Sequence, residues 1–451
     1  MLSVLRNRTY RHLFTAQVVA LVGTGLATVA LSLLAYDIAG DQASAVLGTA
    51  LAIKMIAYVA IAPLAGAVAD RIPRRTLMVA MDITRAGVAL TLPFVTQVWQ
   101  IYVLIFLLQA ASAAFTPTFQ ATIPEVLPAE RDYTQALSMS RLAYDLESLF
   151  SPALAAGLLA LVSYNWLFAG TTVGFLASAA LVVSAVLPKP AAVERTGGVY
   201  AKAAFGARLF WATPRLRALL ALDFAVAAAG AIVFVNTVVL VRDHFQRPAG
   251  ALSLALGAYG AGSILTALLL PRLLRRSGDR AVMLPAAFAL PLILAAVAAL
   301  SATAPSTWSW TAVLLAWAAI GAACSAVLTP GGRLIRRSAT DADLPAAFAA
   351  QFSLSHSCWL LTYPLAGWLA ARAGLPVTAV VLGAIALAAT LTATVIWPTR
   401  DPARLDHIHN DLPPSHPHLT GARPVDEGWQ HRHRYAIDQH HRTWPEAQRL
   451  T

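Results

Sequence analysis

The sequence predicts an all-α membrane protein of twelve spanning helices, arranged as two pseudo-symmetric six-helix bundles. Three observations carry this expectation. Hydrophobic residues make up 58% of the 451 residues and charged residues only 12%, with a mean hydropathy of +0.64; a typical soluble domain carries roughly 25% charged residues. Apolar runs long enough to cross a hydrocarbon core of ~30 Å alternate with short polar breaks. The cations are also distributed unequally between successive breaks, as they are when the chain crosses a bilayer repeatedly.

The runs fall near 13–38, 43–69, 75–97, 100–123, 133–162 and 165–187, then near 216–241, 250–271, 280–301, 308–334, 345–372 and 375–397. The first follows Arg6, Arg8 and Arg11 and continues to Ala39. That exceeds the roughly 7–15 residues of a signal-peptide core, so it reads as a retained span. Pro188, Pro190, Gly197 and Gly198 mark a linker over 188–215. The expected organisation is a bundle at 1–187, that linker, a bundle at 216–398 and a histidine-rich tail at 399–451.

Lys and Arg set the orientation. The N-terminus and alternate breaks hold Arg6, Arg8, Arg11, Arg71, Arg74, Arg75, Arg131, the linker cations, Arg272, Arg275, Arg276, Arg280, Arg333, Arg336 and Arg337; the opposite breaks hold Arg242, Arg247 and Arg372. This places both termini in the cytoplasm and the protein in the cytoplasmic (inner) membrane, with the lipid bilayer as its first partner. It also accounts for the net charge of +11 without a nucleic-acid partner. Trp99, Trp166, Trp308, Trp310 and Trp397 stand at expected helix ends, as interfacial indoles do. Cys324 and Cys358 lie inside apolar runs and offer no disulfide framework. The halves echo one another: Arg71-x-x-Arg74-Arg75 parallels Arg272-x-x-Arg275-Arg276, and Ser44 with Gly48 parallels Ser253 with Gly257. Weak internal symmetry of this type accompanies substrate sites at a repeat interface.

The densest signal is the break between the second and third runs, Gly66-Ala-Val-Ala-Asp70-Arg71-Ile-Pro73-Arg74-Arg75. The pattern Gly-x-x-x-Asp-Arg-x-x-Arg-Arg between two spans resembles the signature loop of the major facilitator superfamily, and residues 1 to about 398 resemble its exporters of the enterobactin-exporter and macrolide-efflux type. The resemblance implies the major facilitator fold, transport by alternating access and a gating role for Gly66, Asp70, Arg71, Arg74 and Arg75. Pro73 replaces a common family glycine. Pro152 and Gly157 in span 5 match part of an antiporter hinge motif, whereas the arginine that many proton-coupled antiporters carry in span 4 is replaced here by Gln109. Spans 1, 4, 7 and 10 would line a central cavity, and spans 2, 5, 8 and 11 would form the interface between halves. Gln17, Thr24, Thr28, Gln109, Asp223, Asn236 and Trp317 are then candidates for substrate contact, or for ordinary helix–helix hydrogen bonds.

Charges inside a span cost about 2.5–3.5 kcal/mol at its centre and so mark candidate functional residues. Span 5 holds Arg141, Asp145 and Glu147. At ~1.5 Å per residue the two carboxylates lie roughly 18–21 Å from the span's cytoplasmic start. Arg141 and Asp145, four residues apart, can pair along one face, whereas Glu147 points about 200° away from Asp145. The pair reads as neutralised, or one carboxylate exchanges protons during transport. Lys54 in span 2 and His356 in span 11 would share the moving interface if those spans meet, and His356 would bring a group that titrates in the physiological range. Asp82 and Arg85 read as a structural pair.

The sequence offers no Gly-x-x-x-x-Gly-Lys-Ser/Thr loop, Cys-x-x-Cys pair or His-Glu-x-x-His segment, so no enzyme and no resident cofactor are expected. The glycines of 257–262 lie inside a span, where small residues allow close packing. Energy would come from an ion gradient, with protons as partner. The tail departs from this picture: His407, His409, His416, His418, His431 and His433 form His-x-His pairs suited to a divalent metal, and the prolines between them oppose a long helix. The leading expectation is a monomeric exporter of a small organic compound by proton-coupled antiport. The alternatives are a nickel, cobalt or zinc exporter using the tail, and a non-transporting receptor or scaffold on a transporter fold.

Overall fold

The computed structural model describes residues 2–39, 43–68, 72–187, 199–399, 401, 404–410, 412–413, 416–426, 428–437, 441 and 444. The first half contains α1 (Arg8–Ala39), α2 (Ala43–Val68), α3 (Arg74–Thr91), α4 (Val98–Val126), α5 (Glu130–Leu159) and α6 (Asn165–Ser184). After α7 (Val199–Ala212), the second half contains α8 (Pro214–Val239), α9 (Ala249–Arg276), α10 (Asp279–Ser301), α11 (Thr307–Leu328), α12 (Gly331–Ser338) and α13 (Leu344–Ile396). Ten of these segments are long and apolar enough to cross a membrane by length and composition. The 30-residue α5 stands outside that set and carries Arg141, Asp145 and Glu147. Among the described residues, these ten with α5 added and α13 counted as two match the twelve spans expected.

Local chemistry sets the boundaries. The 53-residue α13 turns at Gly374, whose φ of 79° and ψ of 170° lie where L side chains are rarely found. Pro376 opens the next helical segment, where a missing N–H costs nothing. The tenth span, expected as one run over 308–334, is instead divided at Pro330, which caps α12 and presents Arg333, Arg336 and Arg337. The linker expected over 188–215 contains α7 over its second part. There α7 lies against α13 so closely that a Cβ on Gly206 would meet the Ala346 carbonyl at 2.5 Å.

Within the first half α1 packs on α6, α2 on α4, and α3 on α4 and α6; within the second, α8 packs on α13 and α9 on α11. The halves meet through α2 against α13 and α5 against α9. Small residues make the closest crossings: a Cβ on Gly262 would meet the Ala318 carbonyl at 1.8 Å, and one on Gly321 the Tyr259 carbonyl at 1.9 Å. In hydrocarbon, where water offers no competing partner, such backbone approach is the main source of helix association. Trp99, Trp166 and Trp308 are exposed, as interfacial indoles should be, but Trp310 and Trp397 are buried in protein. Arg247 covers the Trp310 ring, and the indole N–H of Trp397 donates to Asp401.

The tail folds as a three-stranded antiparallel sheet in the order β1 (Arg404–His409), β3 (Gly428–Arg434), β2 (Arg423–Val425). Tyr435 and Ile437 belong to the apolar core of the second half, with Leu405 and Trp444 packed against it.

Candidate functional site

The embedded charges of α5 cross the seam between halves. Arg141 pairs with Asp145 at 3.0 Å, and both engage Ser263 of α9. The guanidinium donates to the Ser263 hydroxyl at 3.1 Å, and that hydroxyl donates to Asp145 at 2.6 Å. Both carboxylate oxygens are therefore occupied, and Asp145 is buried. Tyr259 and Cys324 also face the Arg141 guanidinium. A buried ion pair holds only when hydrogen bonds complete its shell, and Ser263 completes this one from the opposite half.

Glu147 turns away from that pair, as the helical spacing requires. It faces Lys54 of α2 as its counter-charge, and its carboxylate would lie 3.0 Å from a Cβ on Gly25 of α1. Lys54 stands 5.6 Å from the centroid of Tyr58, whose ring meets the His356 ring edge-on at 4.7 Å. Tyr58 also donates to Gln109 at 2.8 Å. Beside it, Ser353 of α13 donates to the Val59 carbonyl at 2.6 Å, which fixes this second crossing of the seam. His356 Nδ1 lies 2.7 Å from the Phe352 carbonyl and so carries its proton there, leaving Nε2 as the acceptor.

At the arginine-rich end a third network joins the halves. Arg333 of α12 reaches Glu130 at 2.6 Å and Thr134 at 2.5 Å on α5, while holding Asp279 of α10 at 2.8 Å. Tyr133 donates to the Gly332 carbonyl at 3.2 Å, and Arg336 to the Pro128 carbonyl at 2.6 Å. Gly66 belongs here: a Cβ on it would come within 2.6 Å of the Ala349 Cβ on α13. Among the described residues, the polar contacts crossing the seam run from this end to the middle of the bundle.

The loop motif divides in its roles. Arg74 binds Glu125 at 2.5 Å and Arg75 the Ala185 carbonyl at 2.6 Å, both within the first half; Asp70 and Arg71 lie outside the described residues. Asp82 pairs with Arg85 and accepts from Ser178 at 2.8 Å, while Phe115 and Phe175 cover the guanidinium. Of the cavity candidates, Gln17 accepts from Ser140 at 3.0 Å, and Thr24 and Thr28 bond back to their own helix. Asp223 accepts from Gln351 at 2.7 Å through one oxygen, while the other has no hydrogen-bond partner among the described residues. Asn236 donates to Ala366, and Trp317, fully buried, donates to Thr237 at 2.8 Å. The bonds of Gln17, Asp223, Asn236 and Trp317 join neighbouring helices. α5 runs unbroken through Pro152 and Gly157, and a Cβ at Gly157 would meet nothing.

In the tail, five histidines converge: His407, His409, His418, His433 and His441. His416 and His431, expected with them, stand beside the group, whereas His441 was outside the His-x-His pairs. Burial, with the neighbouring imidazoles, pushes His407 down to about 4, so its ring is neutral at physiological pH. Sequence reasoning missed Ser263, Tyr58, Gln351 and the Arg333–Asp279 pair. Each is a polar group in or beside an apolar run, a signal that was present but did not say which helices would be neighbours.

Two pseudo-equivalent helix bundles with charged groups buried across their seam define a polytopic membrane transporter. A profile of the Major Facilitator Superfamily matches residues 13–315 and 219–435, and the chain belongs to that family. It is 27% identical over 215 residues to an uncharacterized MFS-type transporter, YfiS, of Bacillus subtilis, covering 46% of this chain and 51% of that protein. It is 24% identical over 182 residues to macrolide efflux protein A of Streptococcus pyogenes, covering 39% of this chain and 44% of that one. The matches thus span about half the length of these relatives. Among solved structures, the human organic anion transporter MFSD10 superposes with a TM-score of 0.71 at 15% identity, over 86% of this chain and 99% of that one. A bacterial homologue of the iron transporter ferroportin, in an outward-facing state, superposes at 0.67 and 16% identity, over 86% and 98%. These likenesses establish the fold.

Proposed function

We propose that this transporter is a monomeric exporter of a small organic compound across the cytoplasmic membrane, working by alternating access and driven by proton exchange. The cation asymmetry supports cytoplasmic termini, which makes the arginine-rich end the cytoplasmic gate, closed in this conformation. The relatives named for macrolide efflux support an organic substrate moving outward.

One observation carries the mechanism: two sets of ionisable groups, Arg141–Asp145 with Ser263 and Lys54–Glu147 beside His356, lie on the surfaces along which the halves would part, Asp145 buried and Arg141, Lys54, Glu147 and His356 half-buried. Rocking the halves separates Ser263 from Asp145 and alters what surrounds Glu147, so conformation and protonation are linked. Asp145 has both oxygens engaged. Glu147, opposed by a single lysine near Tyr58 and His356, is the proposed proton carrier.

The test is uptake and efflux in cells and proteoliposomes across a panel of macrolides, other drugs and siderophores. Expression should lower accumulation of an organic compound. Glu147→Gln should abolish gradient-driven transport while leaving downhill exchange measurable. Full uphill transport with an unchanged pH profile in both Glu147→Gln and Asp145→Asn would remove these carboxylates from the coupling mechanism.

A further inference from the structure

We propose that the tail is a transition-metal-binding module whose occupancy stabilises the closed cytoplasmic gate. The site is built from four separate pieces of chain. His407 and His409 on β1 and His433 on β3 share one face of the ladder, because side chains alternate along a strand and His407 lies opposite His431 in register. The short 3-10 turn Pro417–Leu419 contributes His418, and His441 closes the group from beyond β3. One ligand atom from each of the five lies within 4.8 Å of every other.

The geometry fits a shared ion. Imidazole nitrogens ~2.1 Å from one metal lie about 3.0–4.2 Å apart, from a right angle to a straight one. His407 Nε2 is 3.0 Å from His409 Nε2 and 3.0 Å from His441 Nε2. His407 Nδ1 is 3.2 Å from the Leu405 carbonyl, which can only accept; the proton therefore sits on Nδ1, and the Nε2 lone pair points inward. An all-imidazole set selects nickel, cobalt, copper or zinc over calcium and magnesium, which prefer oxygen.

The connection to the gate is structural. The strands have only 6, 3 and 7 residues, and an ion bound by His407, His409 and His433 on two of them, His418 in the 3-10 turn and His441 beyond β3 would tie these pieces together and add folding free energy. From the cluster, Tyr435 packs against His407 at 4.9 Å and His441 at 4.4 Å, then against Trp444 at 5.3 Å, whose ring lies under the Arg215 guanidinium. Arg215 binds Asp401 at 3.0 Å, and Asp401 also holds Arg337 through its carbonyl at 2.9 Å. Arg337 shares Asp279 with Arg333, the residue that spans the seam to Glu130. An ordered tail therefore braces contacts that exist only while the gate is closed. The gating part rests on the alternating-access reading; metal binding does not.

The test uses the full-length purified chain, titrated with Ni²⁺ or Zn²⁺ by calorimetry and followed by hydrogen exchange. We expect stoichiometric binding that weakens by about tenfold or more in His407→Ala and in His441→Ala. Metal should slow exchange across both 404–437 and α12, and Asp401→Ala should keep the binding while losing the effect on α12. Absence of binding, binding unchanged in both histidine variants, or protection confined to the tail overturns the proposal. So does metal accumulation in cells expressing His407→Ala, since the tail would then be collecting cargo. These binding and exchange readouts need no transport, so failure of the export reading would show separately as an inactive chain with a normal metal response.

Discussion

Asp145 and Asp223 are both aspartates buried in membrane-spanning helices, yet their surroundings are opposite. Asp145 has an arginine on its own helix and a serine from the other half, and both oxygens are bonded. Asp223 has one amide donor, Gln351, from within its own half, and its second oxygen has no hydrogen-bond partner among the described residues. The first arrangement crosses the seam between the halves, whereas the second lies within one half. The two aspartates thus differ in which side of the seam their partners come from, not in how deeply they are buried.

The largest effect should come from Asp145→Ala. It strands Arg141 without its counter-charge, and removing one member of a buried pair costs about 3–5 kcal/mol. Thermal unfolding in detergent should shift sharply and transport should cease at matched membrane abundance. A stable, active Asp145→Ala chain would dissolve the distinction between the two aspartates.

Glu147→Gln should be close behind in transport but not in stability. The amide preserves volume, and its test is uphill transport against a retained downhill exchange. If Glu147→Gln instead unfolds the protein, Lys54 and Glu147 form a structural pair and the proton path lies elsewhere.

Ser263→Ala sharpens the comparison further. It removes the bridging hydroxyl while leaving Arg141 and Asp145 in contact, at a cost of about 1–3 kcal/mol for the unpaired groups. The expected signature is a partial loss of transport rate, with a shift toward the gate-open form in a cysteine-accessibility assay at the cytoplasmic end. The smallest effect belongs to Asp223→Asn, where an amide keeps the acceptor that Gln351 needs; stability should change by under about 1 kcal/mol and transport little. Strong loss of transport in Asp223→Asn with the fold intact would make Asp223 a coupling residue too.

The metal cluster extends the same point. The His-x-His pairs were visible in the chain, and alternation along a strand explains why His407 and His409 share a face. The strand itself was not foreseen beyond the exclusion of a long helix, and His441 joins them only because the chain returns after β3 to pack Trp444 on Arg215.

The sequence alone determined the membrane class, the twelve crossings and the charges placed inside them, because the lengths of apolar runs and the cost of exposed backbone in hydrocarbon leave few alternatives. It also determined that Arg141 could meet Asp145 and that Glu147 could not, since helical spacing is a local property. Only the tertiary structure decided that Ser263 completes that pair, that Tyr58 stands between Lys54 and His356, that Pro330 divides the tenth span ahead of Arg333, Arg336 and Arg337, and that Asp401 of the tail binds Arg337. Each of these depends on which helices become neighbours. That is set by small-residue packing and backbone approach between segments far apart in the chain, and no single segment carries the information.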